Sequence, residues 1–235
     1  MSALSRQDRT ASWKASRLKM IEKIKLSKSA HALNDAVAQK NRNAFKELGL
    51  TVFNMISSPG SGKTSLLEHL AKRLGQRLLV ITGDIQTQLD KERIDKAGAR
   101  AVQIETRGSC HLTAAMINTA ARQLSFSGAE YLVIENVGNL VCPSSYDLGE
   151  DDKIAVLSVA EGDEKPIKYP TLFIRAGAVI INKIDLLPYV TFDVARATGD
   201  IRKLKHDAEI FQTSCKTGEG IEGVVAYLNK IRRKK

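Results

Sequence analysis

Three stretches of this chain combine small, charged and hydroxyl-bearing residues at spacings that suit polyphosphate, purine and metal chemistry. The first is Ser57-Ser58-Pro59-Gly60-Ser61-Gly62-Lys63-Thr64-Ser65, which follows an apolar run from Val52 and precedes Leu66, Leu67, Leu70 and Leu74 at helical spacing. A strand, a tight loop and a helix in that order form a cradle whose backbone N–H groups close around phosphate oxygens. Side chains at Gly60 or Gly62 would block that approach. Lys63 then reaches the β- and γ-phosphates, Thr64 offers a hydroxyl to Mg²⁺, and the helix that follows points its positive end at the anion. Ser57 stands where the usual pattern begins with glycine, a departure from a strict match.

The second stretch is Asn182-Lys183-Ile184-Asp185, placed after the apolar run Ala178-Val179-Ile180-Ile181. Ligands bind at the carboxyl edge of a parallel sheet, which is where this run would end. A carboxylate at Asp185 can accept from both N1–H and the exocyclic amine of guanine, whereas adenine offers an acceptor at the first position and lacks that amine. Two charge-assisted bonds of about 1.5–3 kcal/mol each imply discrimination on the order of 10²–10⁴. Further on, Ser214, Cys215 and Lys216 follow a short β-rich run at the place where such domains close over the base.

The third group is acidic and sulfur-bearing. Asp84 ends the run Leu78–Thr82 in Thr-Gly-Asp, and Glu135 ends Tyr131–Ile134 in Glu-Asn-Val-Gly. Carboxylates at those strand ends, together with Thr64, suit the magnesium side of a nucleotide site. Gly138 lies where a backbone amide could sense the γ-phosphate, so the segment after it is expected to switch. Cys110 and His111 are adjacent, and Cys142 stands four residues beyond Gly138. Two thiolates and an imidazole suit Zn²⁺ or Ni²⁺, with the fourth position left to water, a partner or a second copy of the chain. By spacing alone, ordinary packing is the favoured account of these residues.

The elements that must position these groups alternate. Short β-rich runs at Val52–Ser57, Leu78–Thr82, Ala101–Ile104, Tyr131–Glu135, Ala178–Asn182 and Glu209–Thr213 are separated by helical stretches. This predicts an α/β fold of the P-loop nucleotidase type: a mostly parallel sheet with helices on both faces, over residues 50–235. Residues 1–49 form an expected basic helical extension, with Leu18, Ile21, Ile24, Leu26, Leu33, Val37, Phe45 and Leu48 near helical spacing. The expectation is a helix packed on its own domain with a solvated lysine face, in preference to a membrane-binding or partner-binding helix.

Charge and cysteine usage narrow the class. Of the net charge of +10 over 235 residues, +7 falls in residues 1–49 and +5 in residues 226–235, so the segment between nets −2. A basic platform for nucleic acid is therefore not expected in the central domain; the rival, nucleic-acid binding through the basic ends, would show as salt-sensitive retention. Three cysteines do not suit a disulfide framework, and no apolar run approaches the roughly 20 residues of a membrane span, so a cytoplasmic address is expected.

With these residues in view, the chain resembles the hydrogenase-maturation nickel GTPases, the HypB family, from about Asn54 onward. The phosphate loop, Gly83-Asp84, Cys110-His111-Leu112, Asp147-Leu148-Gly149-Glu150, Asn182 to Tyr189 and Lys216 to Gly220 all take part. The run Glu135-Asn136-Val137-Gly138-Asn139-Leu140-Val141-Cys142-Pro143 is the most specific of them. The resemblance implies a GTPase that dimerises with nucleotide and binds Ni²⁺ or Zn²⁺ through Cys110, His111 and Cys142 near the dimer interface. It also implies delivery of nickel toward a hydrogenase large subunit with an accessory metallochaperone. Residues 1–49 hold no cysteine and only His31, so the cysteine-rich or histidine-rich N-terminal metal store of some relatives is not expected.

No glutamine or arginine finger stands out, although Arg93 and Arg107 are candidates, so slow turnover on the order of 10⁻⁴ to 10⁻² s⁻¹ is expected. Two rivals share the phosphate loop. A urease-accessory nickel GTPase would carry a Cys-Pro-His motif, absent here, and a small-molecule kinase would lack Asn182-Lys183-Ile184-Asp185.

Overall fold

The computed structural model describes residues 29–84, 89–106 and 108–233, with the side chain of Asp84 also outside the description. Residues 1–28, which carry the expected periodicity from Leu18 to Leu26, and Arg107 therefore lie outside the described residues.

Seven strands form one parallel sheet in the order β3-β2-β4-β1-β5-β6-β7. They are β1 (Thr51–Ser57), β2 (Leu78–Asp84), β3 (Arg100–Glu105), β4 (Tyr131–Glu135), β5 (Asp152–Ser158), β6 (Ala176–Asn182) and β7 (Glu209–Thr213). Every residue of β1 and β4 is buried, as expected for strands covered on both faces. Six of the seven match the β-rich runs of the sequence. β5 was missed, because its apolar stretch Ile154–Leu157 is short and follows an acidic segment without a clear turn signal.

Helix α1 occupies residues 29–47. It is followed by α2 (Lys63–Leu74), α3 (Leu89–Lys96), α4 (Ala114–Ala121), α5 (Cys142–Ser145), α6 (Lys165–Lys168), α7 (Pro170–Arg175), α8 (Val194–Leu204) and α9 (Ile221–Arg233). Phe53, Val80 and Val133 turn to one face of the sheet and pack with Leu67, Leu70 and Leu228 from α2 and α9. Val52, Leu79 and Leu132 turn to the other, where Ile117 of α4 and Phe45 of α1 cover them. Thr113 caps α4 by accepting from the Met116 N–H, and Asp193 caps α8 by accepting from the Arg196 N–H.

The inner stripe of α1 differs from the apolar pattern read in the sequence. Leu33 and Leu48 are 68% and 46% exposed, while Asn34, Ala38, Asn41 and Phe45 are buried. Two of the four inward positions are thus amides with specific partners, which periodicity of apolar residues cannot detect.

Candidate functional site

At the carboxyl end of central strand β1 the chain turns into the phosphate loop. Gly62 has a left-handed φ of 98°, and a Cβ there would lie 2.5 Å from the Asn182 amide nitrogen, so only glycine fits. Lys63 donates to Ser57 Oγ at 2.8 Å, Ser61 Oγ donates to the same oxygen at 2.5 Å, and Ser57 Oγ donates to the Ser58 carbonyl at 2.7 Å. The serine that departs from the usual glycine is therefore the post that holds the lysine in the loop. Beside the loop lies a cavity of about 420 Å³ lined by Pro59, Gly60, Lys63, Thr64, Glu135 and Gly138, among others.

The Thr64 hydroxyl donates to Glu135 at 2.8 Å. These hard oxygen donors, at the end of β4 and the start of α2, suit a Mg²⁺ ion that needs one or two protein oxygens beside phosphate. Asp84 closes β2, opposite Glu105 of β3. Arg93 also lines the cavity. Chiefly through its hydrogen bonds to Glu68 at 3.0 and 2.8 Å, its guanidinium is held above its ordinary pKa, and it reaches Ser65 Oγ at 3.2 Å.

A second cavity of about 440 Å³ shares Gly62, Ser65 and Lys183 with the first and continues to Asp185, Cys215 and Lys216. Asn182 donates to the Ser61 carbonyl at 2.9 Å and accepts from Thr213 at 3.0 Å, bracing the phosphate loop against the end of β7. Lys183 is the only non-glycine residue with positive φ among the described residues, and it donates to the Gly60 carbonyl at 2.6 Å. Ser214 donates to Asp185 at 2.6 Å while its oxygen accepts from the Lys216 and Thr217 N–H groups, both at 3.2 Å, so the carboxylate is aimed by the loop facing it. The Cys215 thiol donates to the Asn182 side-chain amide oxygen at 3.6 Å, and burial raises its pKa. The Cys215 backbone carbonyl is bonded by the ring of His69 at 2.8 Å. His69 and Lys72 of α2 also line this cavity, and sequence reading missed them because nothing in a helix face announces a distant loop.

Cys142 follows Gly138 by four residues. A Cβ at Gly138 would meet Pro59 at 2.9 Å, so the segment leading to Cys142 lies directly on the phosphate loop. Cys110 Sγ and Cys142 Sγ are 3.2 Å apart, and Cys110 Sγ is 3.5 Å from His111 Nδ1. One ligand atom from each of the three residues falls within 4.8 Å of the others. The hydrogen bond to Cys142, followed by burial, raises the Cys110 thiol pKa. Burial, and secondarily the neighbouring charge of His31, lowers that of His111 and favours the neutral imidazole that metals require. The His111 ring stacks on Tyr146 at 3.9 Å.

Four asparagines bring these ligands together. Asn136, next to Glu135, accepts from the Leu112 N–H at 3.3 Å, and Asn139 donates to the Cys110 carbonyl at 3.2 Å. From α1, Asn34 accepts from the Ala114 N–H at 2.9 Å and donates to the Asp147 carbonyl at 2.8 Å. Asn41 donates to the carbonyls of Ala114 at 2.8 Å and Leu148 at 3.1 Å. Each α1 asparagine thus grips both ligand-bearing loops, a few residues beyond His111 and Cys142. None was given a role from sequence, although Asn136 and Asn139 stand inside the most specific motif.

A family model described as the CobW/HypB/UreG nucleotide-binding domain matches residues 51–212. The chain is 47% identical over 201 residues to the hydrogenase maturation factor HypB of Azotobacter vinelandii, covering 85% of this chain and 66% of that protein. It is 45% identical over 203 residues to the hydrogenase/urease maturation factor HypB of Helicobacter hepaticus, covering 85% and 84%. The crystal structure of HypB from Helicobacter pylori in complex with nickel superimposes with a TM-score of 0.82 at 44% identity, covering 86% of this chain and 95% of that one. A parallel sheet carrying this phosphate loop, this base-side loop and this cysteine–histidine corner, matched at such identity over most of its length, belongs to the HypB family of hydrogenase maturation GTPases.

Proposed function

We propose that this protein is a GTP-hydrolysing metallochaperone that binds nickel, or zinc, at Cys110, His111 and Cys142 and couples the nucleotide cycle to nickel delivery for hydrogenase maturation. The observation that carries the coupling is the packing of Gly138 on Pro59, because one segment of eight residues runs from Glu135 at the phosphate cavity to Cys142 at the metal corner. A displacement of that segment by the γ-phosphate moves Asn136 and Asn139, and through their bonds moves the Cys110–His111 loop.

In the nucleotide site, the loop from Pro59 to Ser65 takes the phosphates, with Lys63 released from Ser57 to the β- and γ-oxygens. Asp185, aimed by Ser214, accepts from guanine, with Cys215 and Lys216 closing over the base. Thr64, Glu135 and Asp84 would hold Mg²⁺, which would neutralise phosphate charge. Arg93 is engaged by Glu68 and Asp90, so the charge that a fast GTPase aims at the γ-phosphate is already spent, consistent with slow turnover. Two thiolates and a neutral imidazole hold the cargo ion and leave a position for exchange.

The cycle proceeds in a nucleotide-dependent homodimer that receives nickel from an accessory metallochaperone and acts on a hydrogenase large subunit. The setting is cytoplasmic; among the described residues no helix is long and apolar enough to cross a membrane. The test is titration of Ni²⁺ and Zn²⁺ with and without a non-hydrolysable GTP analogue, comparing the parent with Cys142→Ala. Affinity is expected to change with nucleotide in the parent and to collapse in the variant. Binding unaffected by either change would sink the proposal.

A further inference from the structure

We propose that His69 is a positioning residue for guanine nucleotide: it holds the loop of residues 214–216 closed on the base, so that its bond to Cys215 sets how slowly the nucleotide leaves. The inference rests on the proposed reading of guanine by Asp185, and adds to it the residue that keeps the facing loop in place.

Helical spacing puts His69 where it can act. It stands four residues after Ser65 on α2, with Lys72 three residues further on, and all three side chains line the cavity that runs from the phosphate loop to the base side. Its ring bonds the Cys215 carbonyl at 2.8 Å. A carbonyl only accepts, so Nε2 carries the hydrogen, and Nδ1 faces Arg73 Nη1 at 3.4 Å. Arg73 is fixed in turn, since it donates to the His69 carbonyl at 3.1 Å and pairs with Glu222 in the first turn of α9. The imidazole is thus steadied from behind by a guanidinium.

The bond falls on a peptide unit held at both of its polar groups. The Cys215 carbonyl takes His69, and the Lys216 N–H of the same peptide donates at 3.2 Å to Ser214 Oγ, the hydroxyl that donates to Asp185. Other bonds of the loop are internal, such as those from the Gly218 N–H to the Ser214 carbonyl at 2.8 Å and from the Ser214 N–H to the Glu219 carbonyl at 3.1 Å. The His69 bond instead joins the loop to α2, the helix that begins at Lys63. A nucleotide that reaches from the phosphate loop to Asp185 is closed in by that junction, and for the base to leave, the loop must part from α2. Removing the bond therefore speeds release and spares the phosphate subsite, whose Lys63 and Thr64 stand at the head of the helix.

The experiment uses the full chain as the parent, His69→Ala, His69→Gln and Asp185→Asn. It follows release of ribose-labelled fluorescent GDP and ADP after mixing with excess unlabelled nucleotide, and measures affinity for inorganic tripolyphosphate, which has no base. Expected for His69→Ala is GDP release about tenfold faster than in the parent, with tripolyphosphate affinity unchanged. His69→Gln, whose amide can donate to the same carbonyl, should restore slow release. Parent-like GDP release in His69→Ala, or release as fast in the Gln variant as in the Ala variant, would overturn this inference alone when Asp185→Asn has lost its preference for GDP over ADP. An equal loss of tripolyphosphate affinity in His69→Ala would also overturn it, by assigning His69 to the packing of α2. Undiminished GDP preference in Asp185→Asn would overturn the base reading itself, and the role of His69 with it.

Discussion

The nucleotide edge and the metal corner are built on opposite principles. At the phosphate loop of the nucleotide edge the working groups are neighbours in sequence, and what holds them is the turn they themselves form: Lys63 rests on Ser57 six residues earlier, and Gly62 is required by its own φ. At the metal corner the ligands come from two loops 32 residues apart, and among the groups that join them are amides from a third element, α1, that contributes nothing to the phosphate cavity. A local motif can be carried into any sheet with a crevice at its strand ends. A site assembled from three elements depends on the packing of all three, which makes it both adjustable by nucleotide and vulnerable to changes remote from the ligands.

That contrast is sharpened by changes expected to strike one side and spare the other. The largest effect belongs to Asp185→Asn, which replaces an acceptor pair by an amide. Preference for GTP over ATP, measured by competitive nucleotide binding, is expected to fall by about 10²–10⁴, while Ni²⁺ affinity without nucleotide stays at the parent value. Retained guanine preference would show that Asp185 does not read the base.

Asn41→Ala should do the reverse. It strands the buried carbonyls of Ala114 and Leu148 and the amide of Asn118, a loss of about 1–3 kcal/mol for each buried group left unsatisfied. Metal affinity, set by the separation of the two loops, is expected to drop by about 10–100-fold with all three ligands intact. Nucleotide affinity measured on the same preparation should hold. Equal losses at both sites would mean that α1 supports the whole sheet and has no special relation to the corner.

The smallest effect concerns the ion pair that anchors the same helix. Burial alone would raise the Asp147 pKa, but the Arg42 hydrogen bond and the Gly149 N–H outweigh it and hold the carboxyl below its ordinary value. A depressed folded pKa contributes stability that is present above the unfolded value, about 3.9, and fades as pH falls through the folded one. With both partners a third or more solvent-exposed, the contribution is within about 1 kcal/mol. Arg42→Ala should therefore lower the melting temperature slightly at neutral pH, and the difference should vanish well below pH 4. A gap that persists undiminished in acid would assign Arg42's role to packing of its stem.

Much of this protein can be read in its residues, and the boundary is physical. The phosphate loop, the base-side motif and six of seven strands were legible because each depends on interactions within a few residues: a turn that admits only glycine, a strand carried by a run of apolar side chains. Tertiary packing alone decided that Asn182 braces the loop it faces, and that Arg93 is occupied by Glu68. It also decided that α1 turns asparagines inward and leaves Leu33 in water. An amide is neither apolar nor charged, so its burial leaves no periodic trace. Its worth depends on which backbone groups arrive opposite it, and that is known only once the chain has folded around them.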